Sequence, residues 1–218
     1  MAHNNVIITL KGLLMKMYTS IFKFLLLALF SFLVLPVMTD NISNNKSYNF
    51  LGDENAPNTL VEYASLSCVH CANFHNKELP AIKSQLIDKG KLKYIYKDFP
   101  LDLPAMLAAM VSNCYSGSQY FEILNSLFRN QKKWVVYSDN KKQLYASFHS
   151  ILREHGISLK KINSCTEETE DNKQKWDNIL ATRLDGQNKG VNSTPTFFLN
   201  GKKLDGLVNL EKIKQYIY

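Results

Sequence analysis

Hydrophobic and polar positions predict a strand, a helix and a second strand between residues 59 and 99. Residues 59–65 are apolar except for Glu62, as in a central strand, and residues 91–99 alternate polar with apolar side chains. Between them, apolar residues recur at helical spacing over residues 70–86, where Pro80 should kink the helix. The pattern therefore predicts a strand–helix–strand unit.

Further along, the pattern becomes helical and then returns to strands. Residues 103–184 carry helical signals, with Pro104 placed as a first-turn proline. Strand-forming residues return on both sides of the Asn200–Gly201 dipeptide, which is the strongest short signal for a hairpin. A final helix is predicted over residues 209–216.

This order of elements predicts an α/β protein with a thioredoxin-like fold that carries an inserted helical domain. We expect the core to comprise residues 59–102 and 185–218, and the helical insertion to comprise residues 103–184. We find no internal repeat.

The first 39 residues predict export. A basic lead that ends at Lys23 is followed by an uncharged apolar run over residues 24–38, which suits a signal peptide and is short for a membrane span of about 20 residues. The cleavage pattern is poor, so an uncleaved N-terminal anchor, tethering the protein to the inner membrane, is the alternative. Residues 40–58, rich in Asn, Ser and Asp, are predicted to be a linker.

Composition and charge are typical of a soluble globular protein and do not indicate a nucleic-acid-binding one. An apolar content of 45% and a charged content of 21% are ordinary for a soluble globular protein of 218 residues. Three of the 26 basic residues precede the apolar run, so the net charge of +7 falls to +4 in the predicted folded part. So mild an excess does not indicate a nucleic-acid partner.

Cys68-Val69-His70-Cys71 carries the strongest chemical signal. It follows a predicted strand and begins a predicted helix, where unpaired backbone N–H groups and the helix dipole favour a thiolate at Cys68. His70 can add a hydrogen bond or positive charge. A stabilised thiolate favours the reduced pair, so the disulfide readily accepts electrons.

Two other uses of a C-x-x-C pair have less support. A zinc site usually has a second cysteine pair or two suitably spaced histidines, and the only nearby candidate is His75. A c-type haem site needs histidine directly after the second cysteine, where this chain has Ala72. We therefore predict thiol–disulfide exchange, with no metal or organic cofactor.

Several motifs together resemble the DsbA family of exported thiol–disulfide oxidoreductases. They are Glu62, six residues before Cys68, the C-x-H-C site, the Tyr-Lys-Asp-Phe-Pro stretch ending at Pro100, and Thr194-Pro195 before a Phe-Phe-Leu-Asn-Gly hairpin. The resemblance covers about residues 48–218. Taken alone, Pro195 is most simply read as an ordinary residue at the start of a strand.

The resemblance implies roles for individual residues. Cys68 would be the attacking sulfur, Cys71 the resolving sulfur, and Pro195 a cis-proline facing them. The backbone of Thr194 would pair with an extended client peptide. Glu62 would be the buried acid that assists proton movement to and from Cys71.

The partner of Glu62 and the oxidising strength of the site are not decided by the resemblance. Lys97 is the most plausible partner of Glu62, with Lys93 as a competitor on the same strand. Val69 stands where the family usually has proline, and Thr194 where many oxidases have valine; threonine there is similar to the isomerase-type relatives. Both differences weaken the prediction of a strong oxidase, but neither affects the prediction of thiol–disulfide exchange.

The other two cysteines, Cys114 and Cys165, fall within the predicted insertion. Four cysteines allow three pairings, and the close pair belongs together by proximity, which leaves Cys114 with Cys165. Some members of the family that this chain resembles carry a second, structural disulfide there. Two buried free thiols are the competing interpretation.

We therefore expect a monomeric periplasmic oxidase that donates its Cys68–Cys71 disulfide to reduced, unfolded exported proteins and is reoxidised by a DsbB-like membrane partner. The main alternative is a disulfide isomerase or reductase. A chaperone-like or metal-binding module without redox activity is a third possibility.

Overall fold

A computed structural model describes residues 49–137 and 140–217 of the chain. These residues form a five-stranded sheet in the order β1-β3-β2-β4-β5, in which β2 and β3 are parallel and the other pairs antiparallel. The strands are β1 (Phe50–Leu51), β2 (Thr59–Ala64), β3 (Lys93–Asp98), β4 (Thr196–Leu199) and β5 (Lys202–Leu204). The predicted signal peptide or anchor, residues 1–39, lies outside the described residues.

The helices surround this sheet. They are α1 (residues 69–87), α2 (Leu103–Ser112), α3 (Gly117–Arg129), α4 (Gln131–Trp134), α5 (Lys141–Leu152), α6 (Leu159–Ser164), α7 (Glu170–Asn188) and α8 (Leu210–Ile217). Within the described ranges, none of these helices combines the length and the hydropathy that a membrane span requires.

The predicted linker contains a strand. Phe50 and Leu51 pair antiparallel with Ile95 and Tyr94 at the free edge of β3. A run of two residues carries no periodic signal, so the sequence pattern gave no indication of it. The segment therefore extends the sheet instead of only leading into it.

Helix α1 accommodates Pro80 through wide turns. It alternates α-helical segments with two π-helical segments, Phe74–Glu78 and Lys83–Ile87. Proline has no backbone N–H to donate, and the first π-helical segment ends just before Leu79 and Pro80 begin the next α-helical turn. The helix thus continues past the proline.

The insertion and α1 share one hydrophobic core. Side chains from the sheet, from α1 and from α2 to α6 form a single buried cluster on one face of the sheet, including Tyr94, Leu86, Ile123 and Trp134. This shared core holds the helical segment against the sheet and fixes the start of α1.

Helix α7 covers the opposite face of the sheet. It passes the expected boundary at residue 184 and ends before Gly190, whose φ of +78° suits a helix C-terminus. A Cβ atom on Gly186 would lie only 2.8 Å from a ring carbon of Tyr63 and 3.1 Å from Phe99. The helix approaches the sheet this closely because residue 186 has no side chain.

Candidate active site

The two cysteines of the C-x-x-C pair differ sharply in exposure. Cys68 is the N-cap of α1, with an extended backbone, and its side chain is half-buried. Cys71, in the first turn of the helix, has no exposed surface, whereas Val69 between them is 51% exposed. Both cysteines are free thiols in this structure. The arrangement presents one sulfur at the surface and keeps the other beneath it.

Several hydrogen bonds favour the anionic form of Cys68. Donation from the Cys71 thiol is the largest effect, and the side chain of Thr194 and the backbone N–H groups of Cys71 and His70 add to it. These interactions outweigh burial, which acts in the opposite direction, and lower the pKa of Cys68 from 9.0 to about 5. His70 thus contributes through its backbone.

The environment of Cys71 has the opposite effect. Burial is the main reason that the pKa of the Cys71 thiol is raised, and the bond to Cys68 and the charge of Glu62 raise it further. At neutral pH the pair therefore holds one thiolate, at Cys68, and one thiol, at Cys71. This division of charge suits a leaving sulfur beside a protonated partner.

The loop before β4 lies against the exposed sulfur. The Thr194–Pro195 peptide bond is cis, and the sulfur of Cys68 lies 3.2 Å from the backbone oxygen of Thr194, to which Cys68 donates when it is protonated. Within the described residues the Oγ1 atom of Thr194 is buried without a hydrogen-bond partner, so its hydrogen is available to a thiolate. Beside this loop is a cavity of about 320 Å³, lined in part by His70, Phe197 and Leu207.

Glu62 lies under the site with partners that the sequence did not suggest. Its side chain is fully buried, and its Oε2 atom lies 3.1 Å from Nε2 of His75 and accepts a hydrogen bond from the hydroxyl of Tyr94. The His75 ring stacks on Phe128 with 4.0 Å between ring centroids. The partner of the buried acid is therefore a histidine from α1.

The expected pairing of Glu62 with Lys97 is wrong. Lys97 pairs in register with Tyr63, whose side chain points to the opposite face of the sheet from that of Glu62. There its Nζ atom lies 3.0 Å from Oδ2 of Asp185 and 3.2 Å from the Tyr63 hydroxyl. The competitor, Lys93, donates to the backbone oxygen of Glu54. Lys97 therefore holds α7 against the sheet.

Gln131 links the insertion to the catalytic turn. Its buried amide nitrogen donates to the backbone oxygens of Leu66, at 2.7 Å, and Cys68, at 2.9 Å. These carbonyl groups lie in the turn between β2 and α1. Helix α4 thus contributes directly to the shape of the C-x-x-C loop.

Cys114 and Cys165 form a disulfide within the helical segment, as the resemblance implied, with an S–S distance of 2.18 Å. The Nζ atom of Lys175 lies 3.0 Å from the sulfur of Cys114. The bond connects the loop after α2 to the residue after α6, and so encloses most of the insertion.

Sequence reasoning missed three residues of this site. His75 was considered only as a possible zinc ligand, although it lies one helical turn after Cys71 and so on the same buried face. That spacing could have identified it. Tyr94 and Gln131 carried no comparable signal, because their contacts depend on strand register and on packing between distant segments. Among the described residues, no three His, Cys, Asp or Glu side chains are grouped as metal ligands.

Comparisons with known proteins agree with this geometry. A family model described as Thioredoxin matches residues 44–218. The crystal structure of Wolbachia pipientis alpha-DsbA1 is 32% identical, superposes with a TM-score of 0.68, and covers 85% of this chain and 92% of its own. Disulfide bond formation protein D of Bacillus subtilis is 24% identical over 181 residues, covering 79% of this chain and 76% of the relative.

A Rickettsia typhi protein named as a candidate protein-disulfide oxidoreductase is 28% identical over 165 residues. That match covers 75% of this chain and 58% of the relative, so the chain spans little more than half the length of this curated protein. The family match and the Wolbachia structure confirm the expected thioredoxin-like fold. The chain belongs to the thioredoxin family, and within it to the DsbA-like proteins.

Proposed function

We propose that this protein is an exported thiol:disulfide oxidoreductase that donates its Cys68–Cys71 disulfide to reduced, unfolded proteins in the periplasm. The observation that carries the proposal is the opposite shift of the two thiol pKa values, with Cys68 lowered to about 5 and Cys71 raised. Thiolate stabilisation lowers the free energy of the reduced pair and so makes the disulfide more oxidising. The names of the Rickettsia and Bacillus relatives, which refer to protein disulfides, support the same activity.

The reaction has two exchange steps. A client thiolate attacks the Cys68 sulfur, a client–Cys68 disulfide forms, and the Cys68–Cys71 bond breaks with its electron pair left on Cys71, which takes up a proton. A second client thiolate then attacks the client sulfur, and Cys68 leaves as a thiolate. The client gains one disulfide and the protein is left as the dithiol. The low pKa of Cys68 makes it the better leaving group.

The cis-proline loop is where we place the client. An extended peptide would pair with the backbone of Thr194, beside the Cys68 sulfur that the client attacks, and its side chains would reach the cavity lined by Phe197 and Leu207. We further propose that the protein acts as a monomer and that a DsbB-like membrane partner removes the two electrons. An N-terminal segment retained as an anchor would hold the protein at the inner membrane.

The direct test is oxidation of a reduced, unfolded protein such as ribonuclease, followed by recovery of its activity. We expect the oxidised protein to form client disulfides stoichiometrically, and both Cys68→Ser and Cys71→Ser to abolish this, because neither variant can form the Cys68–Cys71 disulfide. The matched control is Cys114→Ser/Cys165→Ser, which should still oxidise the client. Failure of the wild type to oxidise the client, together with suppression of client aggregation that Cys68→Ser leaves unchanged, would instead identify a chaperone-like binding module.

Disulfide isomerisation is a second candidate, favoured by one observation. Thr194 precedes the cis-proline, where the DsbA oxidases that this chain resembles often have valine. Scrambled ribonuclease distinguishes the two activities. Efficient unscrambling by the reduced protein with poor oxidation by the disulfide form would favour the isomerase. We expect the reverse.

A further inference from the structure

The surroundings of Glu62 lead to a proposal about how protons reach the buried sulfur. We propose that His75 is a positioning residue that carries protons between Glu62, at one ring nitrogen, and a cavity near the other. Cys71 would then exchange its proton on the side away from the client. The inference rests on the proposed function, since it concerns the proton that Cys71 gains in one direction of the exchange and loses in the other.

Cys71 needs such a route because it has no exposed surface. When the Cys68–Cys71 bond breaks, the electron pair left on the Cys71 sulfur must be matched by a proton. When the pair is reoxidised, that proton must leave before Cys71 can attack. A client bonded to Cys68 would cover this sulfur, so the proton is best supplied by a neighbouring buried group.

Glu62 has one oxygen free for this task. Its Oε2 atom is held by His75 and Tyr94, whereas its Oε1 atom is buried and has no hydrogen-bond partner among the described residues. Burying a carboxylate oxygen without a partner is costly. The charge of Glu62 acts on Cys71, so the two groups lie within interaction range. The oxygen without a partner is thus the one left to exchange a proton with the thiol, directly or through one water molecule.

His75 connects this acid to the rest of the path. Its Nε2 atom lies 3.1 Å from Glu62 Oε2 and its Nδ1 atom 3.4 Å from Oδ1 of Asn125. An imidazole can take a proton on one ring nitrogen and release another from the second without turning over. The side chain is 1% exposed and its ring is fixed by stacking on Phe128. It is therefore held with its two nitrogens at opposite ends of the path.

The outer end of the path is a cavity of about 360 Å³ that both His75 and Asn125 line. It shares no lining residue with the cavity beside Pro195. A space of this size holds several water molecules. Its charged lining residues are Lys83, Glu122 and Arg129, and the titratable groups that face His75 from β2 and β3 are Glu62, Tyr94 and Tyr96. Any pH profile of the path reports these groups together.

The test isolates the step in which Cys71 loses its proton. The reduced protein is mixed in a stopped-flow instrument with oxidised glutathione, at concentrations where the rate no longer rises and attack by Cys71 on the Cys68–glutathione disulfide is limiting. We expect His75→Ala and His75→Gln to slow this step roughly tenfold or more at pH 7. Imidazole should restore the rate of His75→Ala, because it enters the space that the ring leaves.

The His75→Gln variant tests whether His75 transfers a proton or only maintains the structure around Glu62. Glutamine can still donate a hydrogen bond to Glu62 but cannot relay a proton, so we expect this variant to stay slow. Ser118→Ala, which alters the same cavity outside the path, should keep the wild-type rate. A wild-type rate in His75→Gln, or no recovery of His75→Ala with imidazole, would overturn the proposal.

Alkylation of Cys68 by iodoacetamide distinguishes this failure from failure of the proposed function. If His75 acts only on the proton of Cys71, the pH midpoint of Cys68 alkylation is the same in the His75 variants and the wild type. An ordinary thiol midpoint in the wild type itself would refute the proposed function. The glutathione experiment would still decide the proposal about His75.

Discussion

The sulfur of Cys68 lies 3.2 Å from the backbone oxygen of Thr194, although 126 residues separate the two in the sequence. The contact joins the start of α1 to the loop before β4. It places the exposed, acidic sulfur beside a backbone that an extended peptide can pair with. The two cysteines and the loop at which we propose that clients bind therefore meet at one point on the surface.

Gln131 should contribute to stability through the catalytic turn. We expect Gln131→Leu to lower the free energy of unfolding by about 1–3 kcal/mol, because the buried carbonyl of Leu66 loses its donor. Urea unfolding followed by circular dichroism measures the change. Gln143→Leu, at an exposed position of α5, is the control and should stay within about 0.5 kcal/mol. Equal effects of the two variants would show that the link to Leu66 is not stabilising.

Gly186 should resist substitution even by alanine. Alanine normally stabilises a helix interior relative to glycine, by about 1 kcal/mol. Here its Cβ atom would lie 2.8 Å from Tyr63, so we expect Gly186→Ala to destabilise the protein by about 1–3 kcal/mol. Thermal unfolding measures this, with Gln187→Ala at the adjacent exposed position as control. A stabilised Gly186→Ala variant would contradict the close packing of α7.

Asp185 should make the free energy of unfolding depend on pH. Burial raises its pKa, but hydrogen bonds from Lys189, Tyr63 and Lys97 outweigh this effect and hold the pKa well below its usual range. A lowered folded-state pKa stabilises the protein above the unfolded value of about 3.9, and the stabilisation is lost as pH falls through the folded value. The stability difference between wild type and Asp185→Asn should therefore be constant above about pH 5 and shrink below about pH 4.

Urea unfolding between pH 3 and pH 7 measures that difference. Asp177→Asn, at an exposed position of the same helix, is the matched control and should change stability little at any pH. A difference for Asp185→Asn that does not vary with pH would show that the ion pairs with Lys97 and Lys189 contribute nothing.

The disulfide of the insertion should matter for stability and leave the chemistry unchanged. The Cys114–Cys165 bond spans 51 residues, and removing it with serine at both positions should cost about 2–4 kcal/mol. Urea unfolding of this double variant measures the loss. Its Cys68 alkylation rate should equal that of the wild type, and a changed rate would show that the second disulfide also tunes the active site.

Local patterns in the sequence predicted much of the fold. Strands β2 and β3, the helix that starts at the C-x-x-C pair and the late hairpin follow from apolar spacing and from Asn200–Gly201. Strand β1 was not predicted, because a strand of two residues shows no alternation of polar and apolar side chains. The end of α7 was placed too early: Gly186 is of a type that often ends a helix, but α7 continues through it to Asn188.

Contacts within the site were harder to predict than its location. Whether Glu62 meets Lys97 depends on the offset between β2 and β3, and a shift of one residue moves a side chain to the other face. Helical spacing could have placed His75 beside Cys71. Gln131 could not have been found this way, because its contact with the catalytic turn depends on how the insertion packs.

The most direct test of a stabilised Cys68 thiolate is the pH dependence of Cys68 alkylation in the reduced protein, with Cys71→Ala measured beside it. We expect a midpoint near pH 5 in the wild type. We expect a higher midpoint in Cys71→Ala, which removes the donor, since the bond from Cys71 is the largest of the effects that lower the pKa of Cys68. A wild-type midpoint between about pH 8 and 9, as for an ordinary thiol, would contradict the account.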